Sequence, residues 1–376
     1  MEPVEIKPLR FVIIGVGAGV FSMHFPAIKQ PIVNLVGVCD IREDVGQQRA
    51  EMLGLPFFAD YRQMIGELKS EVAVIITPHY NHAEIAIACL QAGCHVLVEK
   101  PMALEVAEAD AMIAATQASG KLLAVNFQHR QRPEVRAARK LIEEGRLGKL
   151  QRINMVTPWP RSAAYYGQAS WRATWSGEGG GVLMNQAPHD LDLVCHLMGR
   201  PDAVVAWTRT TLHKIEVEDT ATALLNWDSG ATGYLHVSTA EAGPREEIEI
   251  VGTGGILKIG MGTLEYNEYD ADVAEFLATT PQVWAKPNAH PVEIALEEGA
   301  GDDHPTGDHP AVYRNFYAAI TEGTTIGADG ESARMSLELA NAIILSSKTR
   351  AEVRLPVDRA QYHELLAGLK AGRRPA

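Results

Sequence analysis

The sequence predicts an α/β protein: a doubly wound parallel sheet first, then an α/β domain built on an open, mainly antiparallel sheet. Three observations predict it. Apolar runs alternate with helical spacing as far as residue 127, and the later strands alternate in period two. A glycine-rich turn at 15–20 and a Glu99-Lys100-Pro101 turn both follow strand-like runs.

The first domain is expected over residues 1–128. Its strands are Phe11–Ile14, Leu35–Cys39, Val72–Thr77, His95–Glu99 and Leu122–Asn126, apolar throughout as in a sheet covered on both faces. Arg42–Leu53 and Ala83–Ala92 repeat apolar residues every three or four positions and read as helices. The second domain is expected over 129–376, with its C-terminal helices able to pack back on the first. Ala221, Ala223, Leu225 and Trp227, then Gly233, Leu235 and Val237, alternate with polar residues across the turn Asp228-Ser229-Gly230. Glu247–Ile250 and the turn Thr253-Gly254-Gly255 continue this pattern, which is antiparallel sheet with one buried face. Asp270–Asp308, rich in Pro, Gly, Asp and His, reads as a long loop. Tyr313–Ile320 and Ser332–Lys348 return to helical spacing.

Composition narrows the function. A chain of 376 residues, 46% hydrophobic, can bury a large core, and its length favours two domains. The net charge of −13 has no basic block, which disfavours nucleic acid and anionic membranes as partners. No apolar run reaches the roughly 18 residues of a membrane span, and the first residues lack a signal peptide's apolar core, so a cytoplasmic protein is expected. Cys39, Cys89, Cys94 and Cys195 form no CxxC pair; they read as buried thiols, and no metal site is expected. The string Asp302-Asp303-His304…Asp308-His309 has no firm ligand spacing and reads as a solvated acidic loop.

The run Arg10–Ile14 leads into Gly15-x-Gly17-x-Gly19-Val20-Phe21, a strand followed by G-x-G-x-x-V. Gly15 permits the tight turn, and Gly17 lets a pyrophosphate approach the amides of a helix N-terminus, as in a Rossmann domain. Val20 stands where Gly or Ala is usual, so helix and strand are expected slightly farther apart. Asp40 closes the second strand, where a carboxylate accepts from the adenosine ribose hydroxyls and repels a 2′-phosphate; it also reads as a helix N-cap. These residues favour NAD, with Ile41 and Arg42 following; the Arg42 guanidinium keeps NADP open. Lys100 lies where a central strand stops, at the edge where open α/β sheets bind ligands, and Pro101 fixes the turn.

Together with the glycine turn, three stretches resemble the family named after glucose–fructose oxidoreductase, inositol dehydrogenase and rhizopine catabolism proteins. They are Thr77-Pro78 with His82, Ala92–Pro101 ending in Glu-Lys-Pro, and Gly179–His189 followed by Asp192. The resemblance runs from about residue 10 to 355. It implies a nicotinamide-dependent dehydrogenase of sugars or cyclitols, and a homo-oligomer, dimer or tetramer, joined through the C-terminal sheet. It adds Thr77, Pro78, His82, Glu99 and Gln128 to the cofactor contacts and puts Lys100 and His189 at the reacting hydroxyl.

Removing a hydride from an alcohol also requires removing its proton. An unperturbed histidine titrates in the neutral range, which makes His189 the expected acceptor, with Lys100 relaying the proton or polarising the carbonyl. Many relatives carry Asp four residues before this His. Here it is Asn185, which one helix would bring onto the same face as His189, and which can orient but not charge-stabilise it. Arg161–Trp175 supplies aromatic faces and guanidinium forks: Tyr165, Trp171 and Arg172 either line a sugar site or form an aromatic loop packed between domains. Gln128 and Arg130 are expected at the same sheet edge as Lys100, and His309 near the substrate. A glycoside-cleaving enzyme using NAD transiently, and a non-catalytic NAD-binding regulator, are the alternatives; a regulator needs neither Lys100 nor His189.

Overall fold

The computed structural model describes residues 6–243, 247–296 and 309–373. The chain divides into two compact units. The first comprises Met1–Gln128, Ser176–Gly179 and Asp308–Leu337; the second comprises His129–Trp175, Gly180–Gly307 and Glu338–Ala376.

The first unit holds a six-stranded, all-parallel sheet of β1 (Leu9–Ile14), β2 (Val33–Cys39), β3 (Phe57–Phe58), β4 (Val72–Ile75), β5 (His95–Val98) and β6 (Leu123–Val125). Its order, 3-2-1-4-5-6, is the doubly wound dinucleotide-binding arrangement. The two-residue β3 was not expected; it pairs with Val38 and Cys39. Helices Glu43–Leu53, His82–Gln91 and Val106–Ser119 intervene between the strands. Phe11, Ile13, Val74 and Leu97 are buried in one core with Val312, Tyr313 and Phe316 from the later helix His309–Glu322, and Tyr313 stacks on Phe11 at 5.7 Å.

The glycine turn differs from expectation in one respect. It opens as a 3-10 helix over Gly19–His24, and α-helical bonding begins only at Phe25–Ile28. Pro26 has no N–H to give to Ser22, so an α-helix running through this point from Gly19 would lose a bond.

In the second unit nine strands form a mixed sheet: β7 (Leu150–Pro158), β8 (Ala203–Arg209), β9 (Thr220–Asn226), β10 (Thr232–Ser238), β11 (Glu247–Gly252), β12 (Gly255–Gly260), β13 (Thr263–Tyr269), β14 (Ala289–Val292) and β15 (Val353–Arg354). The order is β14-β13-β12-β11-β7-β10-β9-β8-β15. Among the described residues of this sheet only β7 and β10 pair in parallel. Ala221, Ala223, Leu225, Leu235 and Val237 are buried, while Trp207, Leu224 and Tyr234 on the opposite face are exposed.

The expected long loop from Asp270 is corrected. Helix Val273–Thr279 starts where the Asp272 side chain accepts from Ala274 and Glu275 N–H, and β14 pairs with β13. The acidic string from Asp302 to Asp308 lies outside the described residues. All four cysteines are free and buried. Among the described residues no helix is long and apolar enough to cross a membrane.

Candidate active site

The expected site residues fall in both units, and each set is built locally within its own unit. In the first unit β1 is followed by Gly15, whose φ of +100° and close approach to the Thr77 backbone leave no room for a Cβ. Gly17 N–H donates to Asp40 Oδ2 at 2.6 Å, while Asp40 Oδ1 accepts from Arg42 N–H at 2.9 Å and lies 3.4 Å from Arg42 Nε. The buried Asp40 therefore ties the glycine turn to the end of β2. The helix N-cap is Arg42, without a side-chain bond, so the capping reading of Asp40 is corrected. A Cβ on Gly17 would collide with the Arg42 guanidinium. Bare backbone at Gly17, a carboxylate at the end of β2 and a guanidinium beside both fit an adenine dinucleotide.

Three expected cofactor contacts lie differently. Phe21 turns into the core against Phe25 at 4.9 Å, which leaves only its backbone for a ligand. His82 is fully buried, with Nδ1 and Nε2 each 2.8 Å from a carbonyl, those of Pro101 and Thr77. Burial lowers its pKa although both carbonyls favour the charged ring, so it latches the end of β4 to the Lys100-Pro101 turn rather than facing a ligand. Glu99 is also buried, and its Oε2 accepts from Lys100 N–H at 3.2 Å. Ile41 is exposed, Gln128 is buried just past β6, Gly19 and Val20 open the 3-10 helix after β1, and Thr77 and Pro78 lie on the turn after β4. His309, expected near substrate, is buried with Nε2 3.8 Å from Glu99 Oε1.

In the second unit the aromatic segment closes on one hydroxyl. Tyr165 OH lies 2.9 Å from Arg172 Nη1 and 2.9 Å from Gln186 Nε2, both donors, and it donates to Asn185 Oδ1 at 3.3 Å. The Arg172 guanidinium also lies over the Tyr165 ring at 4.7 Å and the Trp171 ring at 5.0 Å. Tyr165, Trp171, Arg172 and Asn185 are thus brought together. Asn185 and His189 do not share one helix: Asn185 ends Val182–Asn185, and His189 is the second residue of Pro188–Met198. Pro188 at the start of the second helix lacks an N–H for Met184, which breaks the run. His189 is buried and stacks on His129 at 4.2 Å, 18° between planes.

Arg130 lies in the 3-10 turn Gln128–Gln131 that follows β6, and its guanidinium is buried in a bidentate pair with Asp192, at 2.8 and 2.6 Å. Sequence reasoning missed Glu218. This buried carboxyl accepts from Gly181 N–H at 2.8 Å and Leu183 N–H at 3.2 Å and so holds the turn that carries Asn185. Burial raises its pKa to about 7 against those N–H groups. A Cβ on Gly181 would collide with Glu218 O, which explains the glycine. The only sequence signal was a pair of adjacent acids opening an alternating strand.

A parallel 3-2-1-4-5-6 sheet with a glycine turn, an acid closing β2 and a lysine past β5 defines a dinucleotide-dependent oxidoreductase. Residues 9–127 match the profile of the oxidoreductase family with an NAD-binding Rossmann fold, and 135–258 match the GFO/IDH/MocA C-terminal domain. The chain belongs to the GFO/IDH/MocA family of oxidoreductases. It is 28% identical to levoglucosan dehydrogenase of Pseudarthrobacter phenanthrenivorans over 338 residues, 79% of this chain and 83% of that protein. It is 27% identical to myo-inositol 2-dehydrogenase of Thermotoga maritima over 257 residues, 66% of this chain and 74% of that one. The structure of the WlbA dehydrogenase from Bordetella pertussis in complex with NADH and UDP-GlcNAcA superposes with a TM-score of 0.78 at 29% identity, covering 94% of this chain and all of that one.

Proposed function

We propose that this protein is an NAD-dependent dehydrogenase acting on a secondary hydroxyl of a sugar, sugar derivative or inositol. The observation that carries the reading is the Tyr165 cluster. A hydroxyl, an amide, a guanidinium and two aromatic faces converge there, the mixture a polyol ring needs for its O–H groups and its C–H faces. The nicotinamide, when bound, supplies the hydride acceptor. This chain's residues bind, orient and move the proton: His189 Nε2 or Nδ1 takes it from the hydroxyl, and Lys100 Nζ relays it or polarises the carbonyl oxygen. Asn185, held by Tyr165, orients its neighbours without adding charge. Asp40 favours NAD over a cofactor with a 2′-phosphate.

We further propose a cytoplasmic homo-oligomer. Trp207, Leu224 and Tyr234 form an exposed apolar row on the outer sheet face, with Leu224 paired to Val205 and Tyr234, and a second copy of this face would cover it. Sedimentation of Leu224→Lys against wild type tests this: a monomeric wild type rules it out.

The decisive measurement is NADH fluorescence on adding NAD with a panel of hexoses, uronates, anhydrosugars and inositols. Net NADH formation with at least one member is expected, and Lys100→Ala should abolish it while NAD binding stays within about tenfold. Undiminished turnover in Lys100→Ala would remove Lys100 from the chemistry.

A further inference from the structure

Two imidazoles and a carboxylate meet inside the first unit, brought there from separate segments of the chain. His24 ends the 3-10 helix after the glycine turn, Glu99 follows β5, and His309 opens the helix His309–Glu322; all three are buried. His24 Nε2 lies 3.2 Å and His309 Nε2 3.8 Å from Glu99 Oε1, and the three atoms fall within 4.8 Å of one another. Asn126 Nδ2, just past β6, donates to the same oxygen, while Glu99 Oε2 accepts from Lys100 N–H at 3.2 Å.

Hydrogen bonds alone do not satisfy this arrangement. A carboxylate oxygen offers two lone-pair directions. At Glu99 Oε1 Asn126 takes one, which leaves one for two imidazoles. Both Nε2 atoms are buried beside the carboxylate, yet neither has a hydrogen-bond partner of normal geometry. Buried polar atoms are rarely left in that condition. On the far side of its ring, His24 Nδ1 is 3.0 Å from the buried Tyr313 hydroxyl. An Nδ1–H donated to that oxygen leaves the His24 lone pair on Nε2, on the Glu99 side.

We propose that His24 Nε2, Glu99 Oε1 and His309 Nε2 bind zinc or a like divalent transition-metal ion as a structural centre of the first unit. Two imidazoles and a carboxylate are a zinc donor set, and ligand atoms about 2.0–2.1 Å from a tetrahedral ion lie roughly 3.4 Å apart. The separations of 3.2 and 3.8 Å bracket that spacing. The ion accepts both imidazole lone pairs and neutralises the buried carboxylate. Asn126 and the Lys100 N–H then orient the carboxylate, and Tyr313 orients His24, as partners of metal ligands commonly do. Bound there, the ion ties the helix after the glycine turn, the end of β5 and the helix opened by His309 to one another. The expectation of no metal site rested on cysteine and acidic spacing, and ligands drawn from three remote segments carry no such spacing. The proposal does not depend on the dehydrogenase reading.

The test is metal content. Protein expressed in zinc-supplemented medium and then desalted is measured by elemental analysis and native mass spectrometry. Wild type should carry about one zinc per chain, and Glu99→Gln and His309→Leu, each lacking a ligand, less than about a tenth of that. Tyr313→Phe keeps all three ligands and should bind zinc with the same stoichiometry but about 10- to 100-fold more weakly. Cobalt(II) added to metal-free wild type should give the visible absorption of a low-coordinate nitrogen–oxygen site, absent from Glu99→Gln. Wild-type protein that carries no zinc and takes up no cobalt overturns the proposal. So does zinc at wild-type stoichiometry in both Glu99→Gln and His309→Leu, which puts the ion elsewhere. Circular dichroism identifies a variant that has not folded, and the wild-type measurement decides the proposal without it.

Discussion

Replacing Glu218 with Gln should change how the protein's stability depends on pH. Glu218 is buried, accepts two backbone N–H groups of the turn before Asn185, and has its carboxyl raised from 4.5 to about 7 by burial. The folded state therefore binds this proton more tightly than the unfolded chain. Between about pH 4.5 and 7 the folded state holds more protons, so stability falls as pH rises through that window and is level above it. A gap of about 2.5 pH units is worth about 3 kcal/mol at most, at ~1.4 kcal/mol per unit. Gln keeps an acceptor for Gly181 and Leu183 but cannot ionise. The variant should gain on wild type as pH rises from 4.5 to 8, by about 3 kcal/mol or roughly 4–6 °C in Tm for a chain of this size. Differential scanning fluorimetry of both proteins at half-unit pH steps measures it. Melting curves that shift in parallel across the whole range would show that Glu218 does not titrate near neutrality, and the burial argument would fail.

Three further outcomes are expected. Tyr165→Phe removes the hydroxyl shared by Asn185, Arg172 and Gln186, and steady-state kinetics should show kcat/KM for the sugar falling about 10- to 100-fold with NAD affinity unchanged. Asp40→Ser loses the carboxylate that Gly17 N–H and Arg42 hold, so the NADP-to-NAD ratio of kcat/KM should rise at least tenfold, with weaker NAD binding by titration. Arg130→Met leaves the buried Asp192 carboxylate without its guanidinium and should cost about 3–5 kcal/mol, visible in urea unfolding above pH 6.

Much of the fold was legible because parallel strands covered on both faces are apolar throughout: Val72–Ile75 and His95–Val98 could hardly be anything else. The two-residue strand Phe57–Phe58 is too short to carry a period, and Asp272 with Glu275 marked a helix start that the surrounding Pro and Gly obscured. In the site, Gly15, Gly17 and Asp40 were readable because a turn and its partner lie close in sequence. Glu218 with Gly181, or His24 with Glu99 and His309, could not be, since only the tertiary fold brings them together. His82 and Phe21 were assigned to the ligand from their place in a motif, whereas the fold uses their side chains beneath it. Asn185 and His189 have helical spacing, but Pro188 divides them.

The first unit is not a contiguous stretch of chain. Its core takes Val312, Tyr313 and Phe316 from a helix that a ribosome makes about 180 residues after β6, and Val125 N–H in β6 donates to Ala328 O at 2.9 Å. During synthesis the six parallel strands must wait, with one flank of their apolar interior uncovered, until the intervening residues 129–307 have been made. At roughly 5–20 residues per second that interval is on the order of ten to forty seconds. A fragment ending at Gln128 would keep every glycine and carboxylate of the cofactor turn yet lack the aromatic side chains that close its core. Chaperone dependence and fragment insolubility should therefore track this returning helix rather than the glycine motif.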